Sequence, residues 1–256
     1  MRVILDLNEL INPAKLDVVG LKTGKTNDLY EQVRKGRVKS DQEGQQAFYK
    51  GNPIASDNFN RLKKGLQKTM LNSLFCTAIK PAGYLEKYFE TGKLDLASDI
   101  LWKKGKASSA ALVAKEALKD ALKYQMVSFA KSLSQRLMYH YAAFKPNRKK
   151  YQEYKAITEE YQVIEEWETK AESKLLELSL ELRFFKTVQP EFITKINQVR
   201  AEFAAIDIQT MHFKLFLFQF DLMLFKLTNN PKGIADTCQA GLSFIDTLRF
   251  PLSLIH

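Results

Sequence analysis

The sequence predicts an all-α protein: an array of antiparallel helical hairpins behind a small N-terminal helical cluster. Three observations carry this expectation. Ser108 to Phe144 holds neither Gly nor Pro and divides into two amphipathic segments. Asn147 to Gln189 is equally free of both, and apolar residues recur along it at three-four spacing. Nowhere does a stretch of alternating apolar and polar residues find a second one to pair with.

With 256 residues the chain suffices for one large or two modest domains. The break at Lys80-Pro81 divides it into a basic N-terminal helical module, residues 1–80, and a helical-hairpin domain, residues 81–256. The 45% hydrophobic content is that of an ordinary globular protein. No apolar run reaches the 18 or so residues of a membrane span, so no membrane partner is expected; the nearest, Met211 to Leu227, is interrupted by Lys214, Gln219, Asp221 and Lys226. Met1 to Asp6 carries an acid and no small-residue cleavage site, which argues against a secretory signal. Cys76 and Cys238 sit far apart in apolar helical contexts and read as buried reduced thiols of a cytoplasmic protein. The net charge of +10 is uneven: residues 1–80 contribute +6 and residues 81–256 only +4. Such a balance fits an acidic partner such as nucleic acid, or a solvated helical surface.

Residues 1–26 read as irregular, with Val3 to Ile11 forming a short helix or strand that Pro13 stops. Val18 to Thr26 resembles a phosphate loop after a strand. It has three residues between Gly20 and Gly24 where four are required, and no alternation of strands and helices follows, so it reads as a turn. Thr26 or Asn27 caps a helix over Asp28 to Arg34, ended by Gly36. Ser40 with Glu43 forms a capping box for a second helix, to about Tyr49. Ser56 or Asp57 opens a third, from Asn58 to about Ala78, buried along Phe59, Leu62, Leu66, Met70 and Leu74. Arg61, Lys64 and Lys68 share its opposite face, with Lys63 alongside.

Residues 27–78 resemble the helix-turn-helix of bacterial winged-helix transcriptional activators. Ser40-Asp41-Gln42-Glu43 and Ala47-Phe48-Tyr49 match the support helix, and Asn58 to Lys68 stands where the recognition helix would be. The resemblance implies that this helix enters the major groove, with Arg61, Lys63, Lys64 and Lys68 meeting DNA bases and phosphates. It departs from the family where a β-hairpin wing should follow, since Leu71 to Ala78 still reads as helical.

After Gly83, Tyr84 to Glu90 reads as a short helix ended by Gly92, and Leu94 to Trp102 as another. In the central hairpin Ala111, Ala114, Leu118 and Ala121 form one stripe; Met126, Phe129, Ala130, Leu133, Leu137, Tyr141 and Phe144 form the other. The small alanines let the two helices approach closely. Here the chain resembles the tetratricopeptide class: Ala114, Leu118 and Ala121 fall at the small, large and small positions of a repeat's second helix, and Ala235 and Leu242 near the C-terminus fit the same pattern. Leu101-Trp102 falls near the family's Leu-Gly pair, with Trp in place of Gly. The resemblance implies a tetratricopeptide-like α-solenoid, a right-handed array of hairpins.

Beyond it, two helices of about forty residues each are expected, joined at Val188-Gln189-Pro190 and packed antiparallel, each about 60 Å long. The first carries an apolar stripe from Ile157 to Phe185 broken only at Glu168; the second runs from Phe192 to Leu227, missing only Thr210. An intermolecular coiled coil is the alternative to this hairpin. Met211 to Leu227 is apolar around more of its circumference than one neighbour covers, so it is either sandwiched between layers or a surface for interaction. Lys232 to Leu248 forms the last helix, and its apolar end is expected to be covered by a second copy, a partner, further repeats, or the folded-back Phe250 to Ile255 tail.

No catalytic, cofactor or metal site emerges. His140, His212 and His256 lack ligand-spaced partners, and His140 reads as a half-exposed surface histidine. Glu159-Glu160 and Glu165-Glu166 read as the solvated face of a long helix. The expected function is therefore non-enzymatic, binding of another protein by the helical array. The alternative is a transcriptional regulator that binds DNA through residues 27–78 and a partner through the repeats.

Overall fold

Eleven α-helices and one five-residue π turn account for 87% of the residues described by the computed structural model, which are 1–11, 24–49, 55–74, 83–184 and 189–248. No strand occurs among them, and the fold is all-α. The chain forms two compact units, Met1–Ile79 and Lys80–His256.

The first unit contains α1 (Arg2–Ile11), α2 (Lys25–Arg34), α3 (Asp41–Tyr49) and α4 (Ala55–Leu74). The short helix, and not the strand, is the conformation adopted by the N-terminal apolar stretch, with Ile4 and Leu7 buried. α4 packs against each of the other three helices, burying Phe59, Leu66 and Met70 completely against Leu29, Val33 and Val38. The capping box forms: the Glu43 backbone N–H donates to the Ser40 hydroxyl, and the Glu43 carboxylate accepts from the N–H groups of Lys39 and Ser40. Gly36, at φ +67°, ends α2 as its sequence indicates. Gly44 is required by packing. A Cβ there would lie 2.2 Å from the tip of the Phe59 ring, so only a hydrogen lets α3 cross α4 this closely. Two ends differ from expectation: α2 begins at Lys25 behind Gly24, with no side-chain cap from Thr26 or Asn27, and α4 begins at Ala55, ahead of Ser56 and Asp57. The Val18 to Thr23 part of the glycine turn, residues 75–78, Cys76 and the Phe250 to Ile255 tail lie outside the described residues.

The second unit contains α5 (Tyr84–Lys103), α6 (Ala107–Lys123), α7 (Val127–Tyr139), the π turn (His140–Phe144), α8 (Arg148–Phe184), α9 (Pro190–Ala204), α10 (Met211–Leu227) and α11 (Pro231–Thr247). Successive helices pack on one another: α5 on α6, α6 on α7, α7 on α8, and α10 on both α9 and α11. Alanines 110, 111, 114, 117 and 121 give α6 a smooth buried face, against which Met126, Ala130, Leu133 and Leu137 of the following segment close. Asn147 caps α8 by accepting from the Lys150 N–H, and Asn230 caps α11 by accepting from Gly233.

Four expectations are corrected here. α5 runs unbroken through Gly92, because the bare α-carbon faces the Phe129 ring (3.3 Å from a virtual Cβ) and gives α7 room to approach. Phe144 is exposed, because the π turn ends the α7 register before reaching it. His140, the first residue of the same turn, is buried, only 4% exposed. The second forty-residue helix is two helices, α9 and α10, separated at residues 205–210. Ile208 turns inward there to join Phe203, Phe213 and Phe220 in a second core, and each fully buried Phe contributes roughly 1.5–3 kcal/mol.

α8 links the two cores of this unit. Its Tyr154, Ile157 and Tyr161 pack on the α6–α7 core; its Ala171, Leu175 and Leu178 pack on the α9–α10 core. α10 packs against α8, α9 and α11. The all-round apolar character of Met211 to Leu227 is thus accounted for by three packed neighbours.

Candidate functional site

Arg61, Lys64 and Lys68 project from the exposed face of α4, three and four residues apart, and none forms an ion pair with a described residue. Gly65 lies among them with open space where a Cβ would be. A flat, unshielded cationic strip of this kind can follow a phosphate backbone, because nothing between the side chains keeps the partner away. Lys63 is placed differently. Its ammonium donates to Asp41 at 2.8 Å and stands 6.0 Å from the centre of the Phe59 ring, and its side chain is 20% exposed. The Lys63 hydrogen bond is the chief reason that the Asp41 carboxyl stays below its ordinary value, and the Met1 ammonium, 3.1 Å away, reinforces it. Lys63 therefore ties α4 to α3 and belongs to the fold more than to the open strip.

A second surface lies on α8. Leu176, Leu180 and Phe184 follow one another at intervals of four, and all three are exposed, Phe184 by 81%. Leu175, Leu178 and Leu182, within the apolar stripe expected from Ile157 to Phe185, do face the α9–α10 core. This half of α8 has more large apolar residues than one stripe holds, and the excess falls on the outer face.

Polar chemistry concentrates inside the second unit at the head of α10. Glu168, 9% exposed, accepts hydrogen bonds from the Thr210 hydroxyl and the Phe213 backbone N–H. His212 Nδ1 stands 4.0 Å from its other oxygen. Burial pushes the Glu168 carboxyl above its ordinary value, against the opposing pull of these donors. Tyr84 packs edge-on to His212, with ring centroids 6.5 Å apart, and burial pushes its phenol up to about 12. The Met211 N–H, the first of α10, donates to Gln125 Oε1 at 2.8 Å. Glu168 and Gln125 thus receive the Phe213 and Met211 N–H groups at the N-terminus of α10.

Among the described residues no three His, Cys, Asp or Glu side chains gather as a metal site. Burial, then the charges of Lys115 and Lys145, hold the His140 imidazole below its ordinary value, which suits a neutral core residue. Cys238 is exposed on α11, contrary to its apolar sequence context, since the face of α11 toward α10 is taken by Gly233 and Thr237. Of the acidic pairs on α8, Glu159 and Glu160 are solvated as expected, while Glu165 reaches Lys131 of α7. A cleft of about 400 Å³ between α9, α10 and α11 is lined by Arg200, Gln209, Lys214, Leu217, Phe218 and Phe244; Arg200 is already held by Asp221 on its wall. On α11, Leu242 is more than half exposed, whereas Phe244, and Leu248 just past the helix end, pack inward.

The chain matches no family model, no curated protein and no solved structure.

Proposed function

We propose that the chain acts without catalysis, by binding another protein through the outer stripe of α8. The observation that carries this is the run Leu176, Leu180 and Phe184, exposed on one face of a helix whose inner face is occupied by α9 and α10. Side chains at i, i+4 and i+8 are the anchors with which a helix enters a partner's groove or pairs with a partner helix. The packing order adds support: α5 on α6, α6 on α7, α7 on α8, with α5 also touching α7, is the order expected of a tetratricopeptide-like array, whose usual task is to hold other proteins. A photo-crosslinking residue at position 180, in the native cell extract, is expected to give a discrete adduct. That adduct disappears from a chain carrying Leu176→Glu with helicity unchanged. Adducts that persist in the variant mean that the stripe is not the interface, and sedimentation of the pure chain shows whether the partner is a second copy.

A transcriptional regulator is the second reading, favoured by the open strip of Arg61, Lys64 and Lys68. Three phosphate contacts give a slope of about −2.7 in log affinity against log salt. Exchange of the three for Glu abolishes duplex binding in this reading. Absence of duplex binding by the intact chain at about 50 mM salt removes it.

A further inference from the structure

At the end of the second unit where α5 and α7 finish, apolar and cationic side chains are left over together. Trp102 packs edge-on against Phe144 and Tyr139, at centroid distances of 5.2 and 5.6 Å. Phe144 and Tyr139 are nevertheless 57% and 55% exposed. Ile100, on the last turns of α5, is half exposed, and Ala142, Ala143 and Pro146 are open to solvent around the π turn. Lys104, Lys106 and Lys145 lie in the connections that follow α5 and the π turn, and Arg148 and Lys149 open α8; all five are exposed and have no ion pair to a described residue. The nearest carboxylates in sequence are engaged, Asp99 by Lys103 at 2.6 Å and Glu153 by Lys150 at 2.7 Å.

We propose that this tip docks on an anionic lipid surface, the aromatic cluster entering the headgroup–acyl boundary and the five cations resting on headgroup phosphates. Aromatic rings with apolar bodies settle at that boundary, and cations beside them each raise partitioning onto anionic lipid by roughly fivefold. A single-stranded nucleic acid would use the same charges but needs open, parallel ring faces on which to stack successive bases. Here the Trp102 ring is edge-to-face with both neighbours. The aliphatic residues Ile100, Ala142, Ala143 and Pro146 gain nothing from a polyanion in water, whereas they gain from leaving water at a bilayer. No helix of the described residues is long and apolar enough to cross a membrane, so the contact is peripheral.

The chain has two tryptophans, and Trp167 lies in the α9–α10 core, so Trp167→Phe leaves Trp102 as the sole reporter. The full chain with this change is mixed with vesicles of phosphatidylcholine, with or without about 30% phosphatidylserine, at about 100 mM salt. The expected result is co-sedimentation with the anionic vesicles only, a blue shift of Trp102, and quenching by bromine on the acyl chains. Tyr139→Ser with Phe144→Ser, both exposed positions, lowers partitioning at least about tenfold at unchanged helicity, as does Lys104→Glu with Lys106→Glu and Lys149→Glu. Three results overturn the proposal: no binding to anionic vesicles; binding that leaves Trp102 unquenched and survives both sets of substitutions, which assigns it to another basic surface such as α4; or tight binding of a single-stranded oligonucleotide without vesicle binding.

Discussion

Glu168, midway along α8, accepts the hydroxyl hydrogen of Thr210 at the head of α10. These two residues are also the two breaks in the apolar periodicity of the C-terminal half. A carboxylate and a hydroxyl in otherwise apolar stripes satisfy one another in the core, and the same carboxylate receives the Phe213 N–H. Thr210→Val removes one donor from a buried charge and is expected to cost about 1.5–3 kcal/mol near neutral pH. Urea unfolding measures it, and an unchanged midpoint would show that the bond contributes nothing.

Glu168→Gln tests the charge itself. Burial holds the folded-state carboxyl above its ordinary value of 4.5, so its favourable contribution is complete below that pH and is lost as pH rises through the raised value. Glu165, His212 and Tyr84 face it and do not reverse the direction. The stability of Glu168→Gln relative to the parent should therefore improve as pH rises from about 4.5 through the raised value. A difference that falls with pH would mean that the donors from Thr210 and Phe213 outweigh burial.

Gln125 occupies the left-handed region at φ +54°, where a side chain costs about 1 kcal/mol, while its amide oxygen caps α10 through the Met211 N–H. Gln125→Ala keeps the strain and loses the cap, for an expected loss of about 1 kcal/mol. Gln125→Gly loses the cap and relieves the strain, so its stability should stay within about 0.5 kcal/mol of the parent. Equal destabilisation by both would remove strain from this account.

Two glycines of the first unit should respond in opposite directions. Gly44→Ala places a methyl group inside the fully buried Phe59 ring and should cost about 1–3 kcal/mol. Gly65→Ala, on the open face of α4, should stabilise by about 0.5–1 kcal/mol. Thermal unfolding of each variant checks both signs.

The four cations of α4 should separate likewise. Exchange of Arg61, Lys64 or Lys68 for Glu leaves stability within about 0.5 kcal/mol, because each is exposed and unpaired with described residues. Lys63→Glu sets a carboxylate against Asp41 and should cost about 1 kcal/mol, a modest loss because Asp41 is half exposed. Equal effects at all four positions would contradict the assignment of Lys63 to the fold.

The sequence by itself determined that this chain is helical, and where most helices start. Helical periodicity and capping are local, set by residues three or four apart, so Ser40 with Glu43, and Gly36, could be read directly. The buried faces of α4, α6 and α10 were legible for the same reason. The tertiary structure alone decided what depended on a distant partner. Gly92 stays inside α5 because Phe129 lies over it, and the helix after Pro190 breaks because Glu168, some forty residues earlier, accepts from Thr210. His140 and Cys238 exchanged their expected places, buried and exposed, since burial is fixed by what packs on a residue and not by its neighbours in sequence. The candidate surfaces divided in the same way. The α4 strip could be read from its spacing, but the withdrawal of Lys63 to Asp41 and the meeting of Trp102, Tyr139 and Phe144 required helices far apart in the chain to come together, which no local pattern encodes.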